Sequence, residues 1–375
     1  MKKILFCITG IVFLMLTSCV QESKEMYLFV GSYAKASDSG ITLYRFNPAD
    51  GSTTLVREVS NIANPTYLTL SKDEKFLYSV SETDVPNANV SVYSFDNNKN
   101  DVDIRFLYKK ETKGASPCHI WVNDNRTLAV TANYMGGSIS VFPLAANGML
   151  DEPSLFIFEE GASGVGRQDA SHLHFTYSSP DGKYLFANDL GADRIYKFDI
   201  IDEKDGNATL KEGQPAYFTM PEGKGPRHTT FHPNGMFAYV IGELSGNVTV
   251  LQYNESNFNV IQSIESDPHH NAGSADIHIT PDGRFLYASN RGKGDGLAIF
   301  SINKESGKLT NIGYQPTESH PRNFIITPDG KHLLCACRDG NVIQVFTIDK
   351  ENGLLKNINK DIKVSKPVCL KFAST

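Results

Sequence analysis

The sequence predicts an all-β fold, a single seven-bladed β-propeller, from a hairpin pattern that recurs along almost the whole chain. The clearest copy runs from Ile277 to Arg291, where apolar residues alternate on both sides of the turn Pro281-Asp282-Gly283. Equivalent turns are assigned at Asp73, Asp124, Asp181, Asn234, Asp282 and Asp329. Successive turns lie 47 to 57 residues apart. A period of about 50 residues filled with short strands is typical of β-propellers.

A third strand follows each hairpin and keeps the same period. Its seven copies begin at Gly40, Asn89, Gly137, Asp193, Gly246, Gly296 and Asn341. Only six hairpins are complete, so the seventh is divided between the two ends of the chain. Pro367 to Phe372 supplies its first strand and Met26 to Tyr33 its second. We expect these two strands to pair and close the ring as blade seven, which leaves no open sheet edge.

The first 25 residues are predicted to lie outside the propeller. Lys2 and Lys3 precede the short apolar run Ile4 to Leu16, which is the pattern of a secretory signal rather than a transmembrane helix. The ending Leu16-Thr17-Ser18-Cys19 resembles a bacterial lipobox, which implies a lipidated Cys19 after a leader of residues 1–19. Residues 20–25 would then be a tether and 26–375 the propeller domain. This interpretation predicts a cell-envelope protein that meets the membrane only through its lipid. The alternative is a plain signal peptide with a chance cysteine.

Composition narrows the class of partner. The net charge is −6 and no basic run occurs, which disfavours nucleic-acid binding. Cys118, Cys335, Cys337 and Cys369 match no zinc spacing, so we expect buried thiols and no metal site. A disulfide between Cys335 and Cys369 is an alternative. The sequence does not indicate an oligomeric state.

The repeat register predicts which side chains reach one mouth of the central channel. In an antiparallel hairpin, the position seven before the turn and the position nine after it lie at the same end. The first set is Thr66, Pro117, His174, Arg227, Ala275 and Arg322. The second set is Glu82, Asn133, Leu190, Glu243, Arg291 and Arg338, with Ser32 and Tyr33 from blade seven. This cluster of opposite charges predicts a site that binds anions and carries out acid–base chemistry.

Structural roles compete with this interpretation. The arginines of the two sets could simply pair with Glu243 and Glu82 to tie blades together. His228 and Asp276 are expected to form a buried pair that points away from the mouth, and His278 is expected to be a core histidine. His174 is the best candidate for a general base, because neighbouring arginines would keep it neutral.

Three stretches carry a resemblance to a known family: Gly223 to Val250, Ala275 to Arg291 and Tyr314 to Leu333. They resemble the propeller-type 6-phosphogluconolactonases, whose superfamily includes the fungal carboxy-muconate lactonising enzymes. The likeness extends over nearly the whole chain after Met26. It implies a site without metal or cofactor, built from one histidine, two arginines and one glutamate. By motif position these are His174, Arg227, Glu243 and Arg291.

The resemblance implies hydrolysis of a small sugar lactone, above all 6-phosphoglucono-δ-lactone to 6-phosphogluconate. His174 would activate water, Arg227 and Arg291 would stabilise the oxyanion, and Glu243 would orient an arginine or shuttle a proton. Further substrate-binding candidates are Arg322 as the phosphate anchor, His172, Asn133 and His119.

Three alternatives remain open: a carboxy-muconate-type cycloisomerase, a lactonase for unphosphorylated envelope sugars, and a binding propeller without catalysis.

Two features depart from the family pattern. The glycine-rich segment 160–171 could reshape the pocket, and the export signal separates the chain from a cytosolic phosphorylated substrate.

Overall fold

The computed structural model describes residues 24–97, 102–145, 147–202 and 208–375. The predicted leader with Cys19 and the tether residues 20–23 lie outside this range, so the lipobox remains a prediction. Within the described residues, strands dominate, with a single 3₁₀ turn at Gly166–Gln168. No helix in these ranges is long and apolar enough to cross a membrane.

Seven antiparallel sheets form the blades of the predicted propeller. Blade seven contains β1 (Met26–Ser32), β2 (Ile41–Asn47), β3 (Ser52–Val59) and, from the other end of the chain, β29 (Pro367–Ser374). Blade one contains β4 (Leu68–Leu70), β5 (Phe76–Ser81), β6 (Asn89–Asp96) and β7 (Asp103–Glu111). Blade two contains β8 (Pro117–Val122), β9 (Leu128–Asn133), β10 (Ser138–Pro143) and β11 (Ser154–Ile157). Blade three contains β12 (Leu173–Ser178), β13 (Tyr184–Asp189), β14 (Arg194–Asp202) and β15 (Ala208–Thr219).

The remaining blades repeat the arrangement. Blade four contains β16 (Pro226–Phe231), β17 (Phe237–Gly242), β18 (Asn247–Asn254) and β19 (Asn257–Glu265). Blade five contains β20 (Ser274–Ile279), β21 (Phe285–Asn290), β22 (Gly296–Ile302) and β23 (Leu309–Pro316). Blade six contains β24 (Pro321–Ile326), β25 (His332–Cys337), β26 (Val342–Ile348), β27 (Leu355–Asn357) and β28 (Ile362–Lys363).

The ring closes as predicted, because β1 pairs with β29 in one sheet. Val30 lies opposite Leu370, and Leu28 opposite Phe372. The first and last strands of the propeller are therefore held together by backbone hydrogen bonds, with β29 as the innermost strand of blade seven.

The inner hairpins turn as their sequences indicate. In blade five, the hydroxyl of Thr280 donates to Oδ1 of Asp282 over 2.6 Å, and Gly283 adopts a φ of +75°. Glycine takes this left-handed conformation without the steric penalty that a side chain would add. These turns face away from the mouth and fix the register of the two inner strands.

The blades pack through apolar side chains and through tyrosines that reach from one blade into the next. Tyr239 donates its hydroxyl hydrogen bond to the carbonyl of Gly307 over 2.8 Å, and Tyr287 donates to Gly353 over 2.8 Å. All four cysteines of the propeller are buried free thiols. The alternative disulfide between Cys335 and Cys369 is therefore not formed.

Candidate active site

The channel mouth leads to a small cavity on the propeller axis. This axial cavity is lined by Thr66, Tyr67, Glu82, Cys118, His174, Arg227, His228, Arg322, Asn323 and Val368. Its volume is about 10 Å³, which is space for about one water molecule. Five of the ten lining residues belong to the two predicted sets: Thr66, Glu82, His174, Arg227 and Arg322. The repeat therefore predicted where the cavity lies.

β-Bulges explain why these side chains point at the axis. In blade three the pairing passes from Leu173 to Phe175, which leaves His174 unpaired. Arg227 is left unpaired in the same way in blade four, and Arg322 in blade six. A bulge turns the extra residue and its neighbour towards the same side of the strand. In blades four and six the bulge therefore delivers two consecutive side chains to the cavity, whereas in blade three only His174 reaches it.

The register was one residue off in blade two, and the predicted Pro117 and Asn133 are corrected to Cys118 and Tyr134. The backbone N–H of Arg126 donates to the carbonyl of Asn123, as that of Gly182 donates to Ser179 in blade three. Asn125, and not Asp124, is therefore the turn residue equivalent to Asp181. Asn133 instead donates to the hydroxyls of Ser138 and Ser140 over 3.0 and 2.8 Å inside the blade. Asn133 does not line the cavity.

Glu243 is the centre of the charge cluster. Its carboxylate lies 2.8 Å from Nε of Arg227, 2.9 Å from Nη2 of Arg291 and 2.6 Å from Nη1 of Arg167. Burial would raise the pKa of Glu243, but Arg291, Arg227 and Arg167 together lower it to about 2. Glu243 is therefore ionised at neutral pH and holds the arginines in place. The cross-blade pairing of Arg291 with Glu243, which the sequence left open as a structural alternative, is present.

Arg227 is held by groups on three sides. Besides the ion-pair contact with Glu243, its Nη1 donates to the carbonyl of Ala275 over 2.7 Å. The same nitrogen lies 3.1 Å from Nε2 of His228, and Nδ1 of His228 lies 2.8 Å from Oδ1 of Asp276. This arrangement requires the proton of a neutral His228 on Nδ1, so that Nε2 accepts from Arg227.

The expected orientation of His228 was wrong, although its pairing with Asp276 is present. His228 lines the axial cavity, because the bulge at Arg227 turns both residues towards the axis. Asp276 also accepts from Nδ2 of Asn323, and its Oδ2 lies 3.0 Å from Nε2 of His278. His278 is partly exposed rather than a core residue.

His174 is buried in the cavity wall, and its Nδ1 has no hydrogen-bond partner among the described residues. Burial, together with Arg227, His228 and Arg322, holds the pKa of His174 well below its usual range. A neutral imidazole in the cavity wall has one unprotonated ring nitrogen, which can accept a proton from a bound water.

Arg322 lies across the mouth from His174 and is linked to Tyr33. Its Nη2 donates to the Tyr33 hydroxyl over 3.2 Å, and this hydroxyl donates to Oε1 of Glu82 over 2.9 Å. The other Glu82 oxygen, Oε2, is buried and has no partner among the described residues. Arg322 therefore reaches Glu82 through Tyr33 rather than by the direct pairing considered from the sequence.

The two remaining predicted residues support the cavity wall without lining it. The ring of His119 lies between those of Tyr67 and Phe175, with both centroids 4.2 Å away. His172 stacks on Tyr134 at 4.4 Å, and its Nδ1 lies 3.0 Å from the Tyr134 carbonyl oxygen. Neither histidine is placed to touch a ligand in the cavity.

Sequence reasoning missed Arg167, which covers the mouth from the glycine-rich segment 160–171. Besides its contact with Glu243, Nη2 of Arg167 donates to the carbonyl of Ala272 over 2.7 Å. The segment had been identified as one that could reshape the pocket, and Arg167 is its only arginine. The sequence therefore pointed to this segment. The repeat could not predict that Arg167 contacts Glu243, because Arg167 lies outside the repeated strands.

A much larger hollow opens on the same face, between blades six, seven and one. This mouth pocket has a volume of about 620 Å³ and is lined by Tyr33, Ala34, Lys35, Asp38, Ala63, Asn64, Arg338, Asp339, Ser365 and Lys366. Tyr33 forms part of its wall and also bonds to Glu82 and Arg322 of the axial cavity. The described residues contain no cluster suited to a metal ion.

Comparisons with known proteins agree with this architecture. A family model described as lactonase, seven-bladed β-propeller, matches residues 27–372. A 6-phosphogluconolactonase from Formosa agariphila is 37% identical over 325 residues, which cover 85% of this chain and 91% of that protein. A crystal structure of a Bacteroides fragilis protein assigned as a 6-phosphogluconolactonase is 44% identical, with a TM-score of 0.90 over 94% of this chain and 99% of that one. The periplasmic gluconolactonase of Pseudomonas aeruginosa is 30% identical, with a TM-score of 0.86 over 94% of this chain and 99% of that one.

Proposed function

Because the chain belongs to the seven-bladed β-propeller lactonase family, we propose that it hydrolyses the ring ester of a sugar δ-lactone, 6-phosphoglucono-δ-lactone above all. The observation that carries this proposal is that one cavity is lined both by Arg227 and by a neutral His174 whose Nδ1 has no hydrogen-bond partner among the described residues. Ester hydrolysis needs a base for water and a cation for the oxyanion, and these two side chains supply them.

In the proposed reaction, water gives a proton to the unprotonated ring nitrogen of His174 while its oxygen bonds to C1 of the lactone. The carbonyl electron pair moves onto oxygen, where Arg227 stabilises the negative charge. When the carbonyl re-forms, the bond from C1 to the ring oxygen breaks, and His174 returns the proton to that oxygen. The products are a hydroxyl group at C5 and a carboxylic acid, which ionises at neutral pH.

Glu243 and the His228–Asp276 pair act in this proposal as positioning groups. The low pKa of Glu243 keeps its charge available to Arg227 and Arg291 and makes it a poor proton donor. His228 accepts from Nη1 of Arg227, and Asp276 fixes the His228 tautomer that can do so. An arginine held before the substrate arrives needs little reorganisation when the oxyanion forms.

A lactone ring is larger than the axial cavity, so the substrate must bind with its body in the mouth. Arg167 spans the mouth through Glu243 and would have to move to let a sugar approach His174. Arg322 is the proposed anchor for the phosphate group, because its guanidinium lies on the opposite side of the mouth from His174 and carries a full charge.

A lactonase acting on unphosphorylated envelope sugars is the second candidate. The similarity to the periplasmic gluconolactonase of Pseudomonas aeruginosa favours it, as does the predicted leader of residues 1–19. We propose on the same grounds that the chain is exported and anchored through a lipid on Cys19. Cys19→Ala should abolish incorporation of labelled fatty acid and release the protein from membranes, whereas Cys7→Ala in the same leader should change neither. Incorporation that survives Cys19→Ala would contradict the anchor.

The function is tested by following ring opening of freshly generated 6-phosphoglucono-δ-lactone and of glucono-δ-lactone, each corrected for spontaneous hydrolysis. We expect the phosphorylated lactone to have the higher kcat/KM. Acceleration of the unphosphorylated lactone alone would move the function to envelope sugars. No acceleration of either would contradict a lactonase and return the cycloisomerase and the binding propeller to consideration.

A further inference from the structure

The mouth pocket carries cations that the proposed reaction has not used. Lys35 and Lys366 line it, and neither ammonium group has a carboxylate within 4 Å in the described part of the chain. Arg338 also lines the pocket, but its guanidinium is paired with Asp339 over 2.8 Å. Asp38 is the other acidic residue of the wall. The pocket therefore holds two ammonium groups without a close ion pair, although Lys366 is near enough to Asp339 to help lower the pKa of that carboxyl group.

Tyr33 connects this pocket with the axial cavity. Its ring lies beneath the guanidinium groups of Arg322 and Arg338, at 5.5 and 5.9 Å from their central carbons. Burial is the main cause that raises the pKa of Tyr33 to about 12, so its hydroxyl remains protonated at neutral pH. A neutral hydroxyl beside two guanidinium groups does not repel an anion, and it can donate to one if Glu82 releases it.

Size and position argue that the pocket belongs to the substrate site. The axial cavity has room for about one water molecule, whereas the mouth pocket, at about 620 Å³, is ample for a six-carbon sugar phosphate. Two residues of its wall, Tyr33 and Asn64, donate hydrogen bonds directly to Glu82 in the lining of the axial cavity. The proposed catalytic residues lie on blades three to five, and the pocket lies across the mouth from them.

We propose that the mouth pocket is the subsite for the anionic end of the substrate, where Lys35 and Lys366 bind the phosphate together with Arg322, which lies against Tyr33 at the inner end of the pocket. The inference rests on the proposed lactonase function and assigns the side chains that would bind the phosphate of its substrate. The lactone would span the mouth, with C1 towards His174 and its phosphate towards blade seven. Charge-assisted hydrogen bonds from two ammonium groups would then select it over the uncharged sugar.

The test replaces both lysines by alanine and measures the two lactones side by side. For Lys35→Ala with Lys366→Ala, we expect KM for the phosphorylated lactone to rise about tenfold or more, with kcat and the KM for glucono-δ-lactone within twofold of native. Lys363→Ala, an exposed lysine of β28 outside the pocket, is the matched control and should change neither. Because both lysines are exposed, the double variant should have the same unfolding temperature as the native protein.

A binding measurement gives a second readout. Inorganic phosphate should inhibit the native protein competitively and should lose most of this effect in the double-lysine variant. An equal change for both lactones, or unaltered inhibition by phosphate, would overturn the subsite and leave the lactonase proposal in place. A native protein that opens only the unphosphorylated lactone would do the same. A native protein that opens neither lactone would overturn the function itself, and the subsite with it.

Discussion

Replacing Glu243 by glutamine tests how the charge cluster is built. The substitution keeps the shape of the side chain but removes the charge that faces Arg167, Arg227 and Arg291. Removing one partner of a buried ion pair leaves the other charges uncompensated, which typically costs about 3–5 kcal/mol. The pKa of Glu243 supports this range, since its fall from 4.5 to about 2 corresponds to about 3 kcal/mol.

The sign of the pH dependence follows from the same pKa. The carboxyl group of Glu243 is depressed in the folded state, so its contribution to stability is present above the unfolded pKa of about 4.5 and is lost as the pH falls towards about 2. The native protein should therefore lose this contribution between these two pH values. Glu243→Gln, which cannot titrate, should lack that part of the loss.

Urea unfolding at pH 7 and pH 3 measures the effect on stability, with lactone hydrolysis measured in parallel at pH 7. We expect Glu243→Gln to lower the free energy of unfolding by about 3 kcal/mol at pH 7 and kcat by about 10²-fold, because Arg227 and Arg291 lose their orientation. Glu222→Gln, at an exposed glutamate, is the control. A Glu243→Gln protein within about 1 kcal/mol and twofold of native would refute the role given to this carboxylate.

Three further predictions concern other parts of the site. Arg322→Ala should raise KM for the phosphorylated lactone by about tenfold and affect glucono-δ-lactone less; equal effects would remove the anchor role. Asp276→Ala should destabilise the protein by about 3 kcal/mol or more in urea unfolding, because His228 and Asn323 lose a buried acceptor, and a loss below about 1 kcal/mol would contradict this. With glucono-δ-lactone, which has no titrating phosphate, the profile of kcat/KM should be flat from pH 6 to 8, since the pKa of His174 lies well below 6.5. An inflection near pH 6.5 would show a different base.

The fold was predictable because one pattern repeats along the chain. A hairpin and a third strand recur together, and a shared period is a stronger indication than any single strand. The missing seventh hairpin even predicted the pairing of β1 with β29. Spacing between repeats is insensitive to side-chain contacts, which explains why blade number and closure could be read from the sequence.

The site was predictable only as far as the register extends. His174, Arg227 and Arg322 line the cavity because each sits at the same bulge of its blade. The position of Tyr134 was missed because the turn in blade two has no glycine, so Asp124 was taken as the equivalent turn residue instead of Asn125. The orientation of His228 was missed because strict alternation assigns neighbours to opposite faces, and a bulge breaks that rule.

The most direct measurement of the central claim is the rate of 6-phosphoglucono-δ-lactone opening by His174→Ala beside the native protein. His269→Ala, at an exposed loop histidine, is the control, and thermal unfolding shows whether each variant is folded. If His174 activates water in the axial cavity, kcat falls by about 10²-fold or more while His269→Ala remains at the native rate. A folded His174→Ala protein that opens the lactone at the native rate would contradict the account.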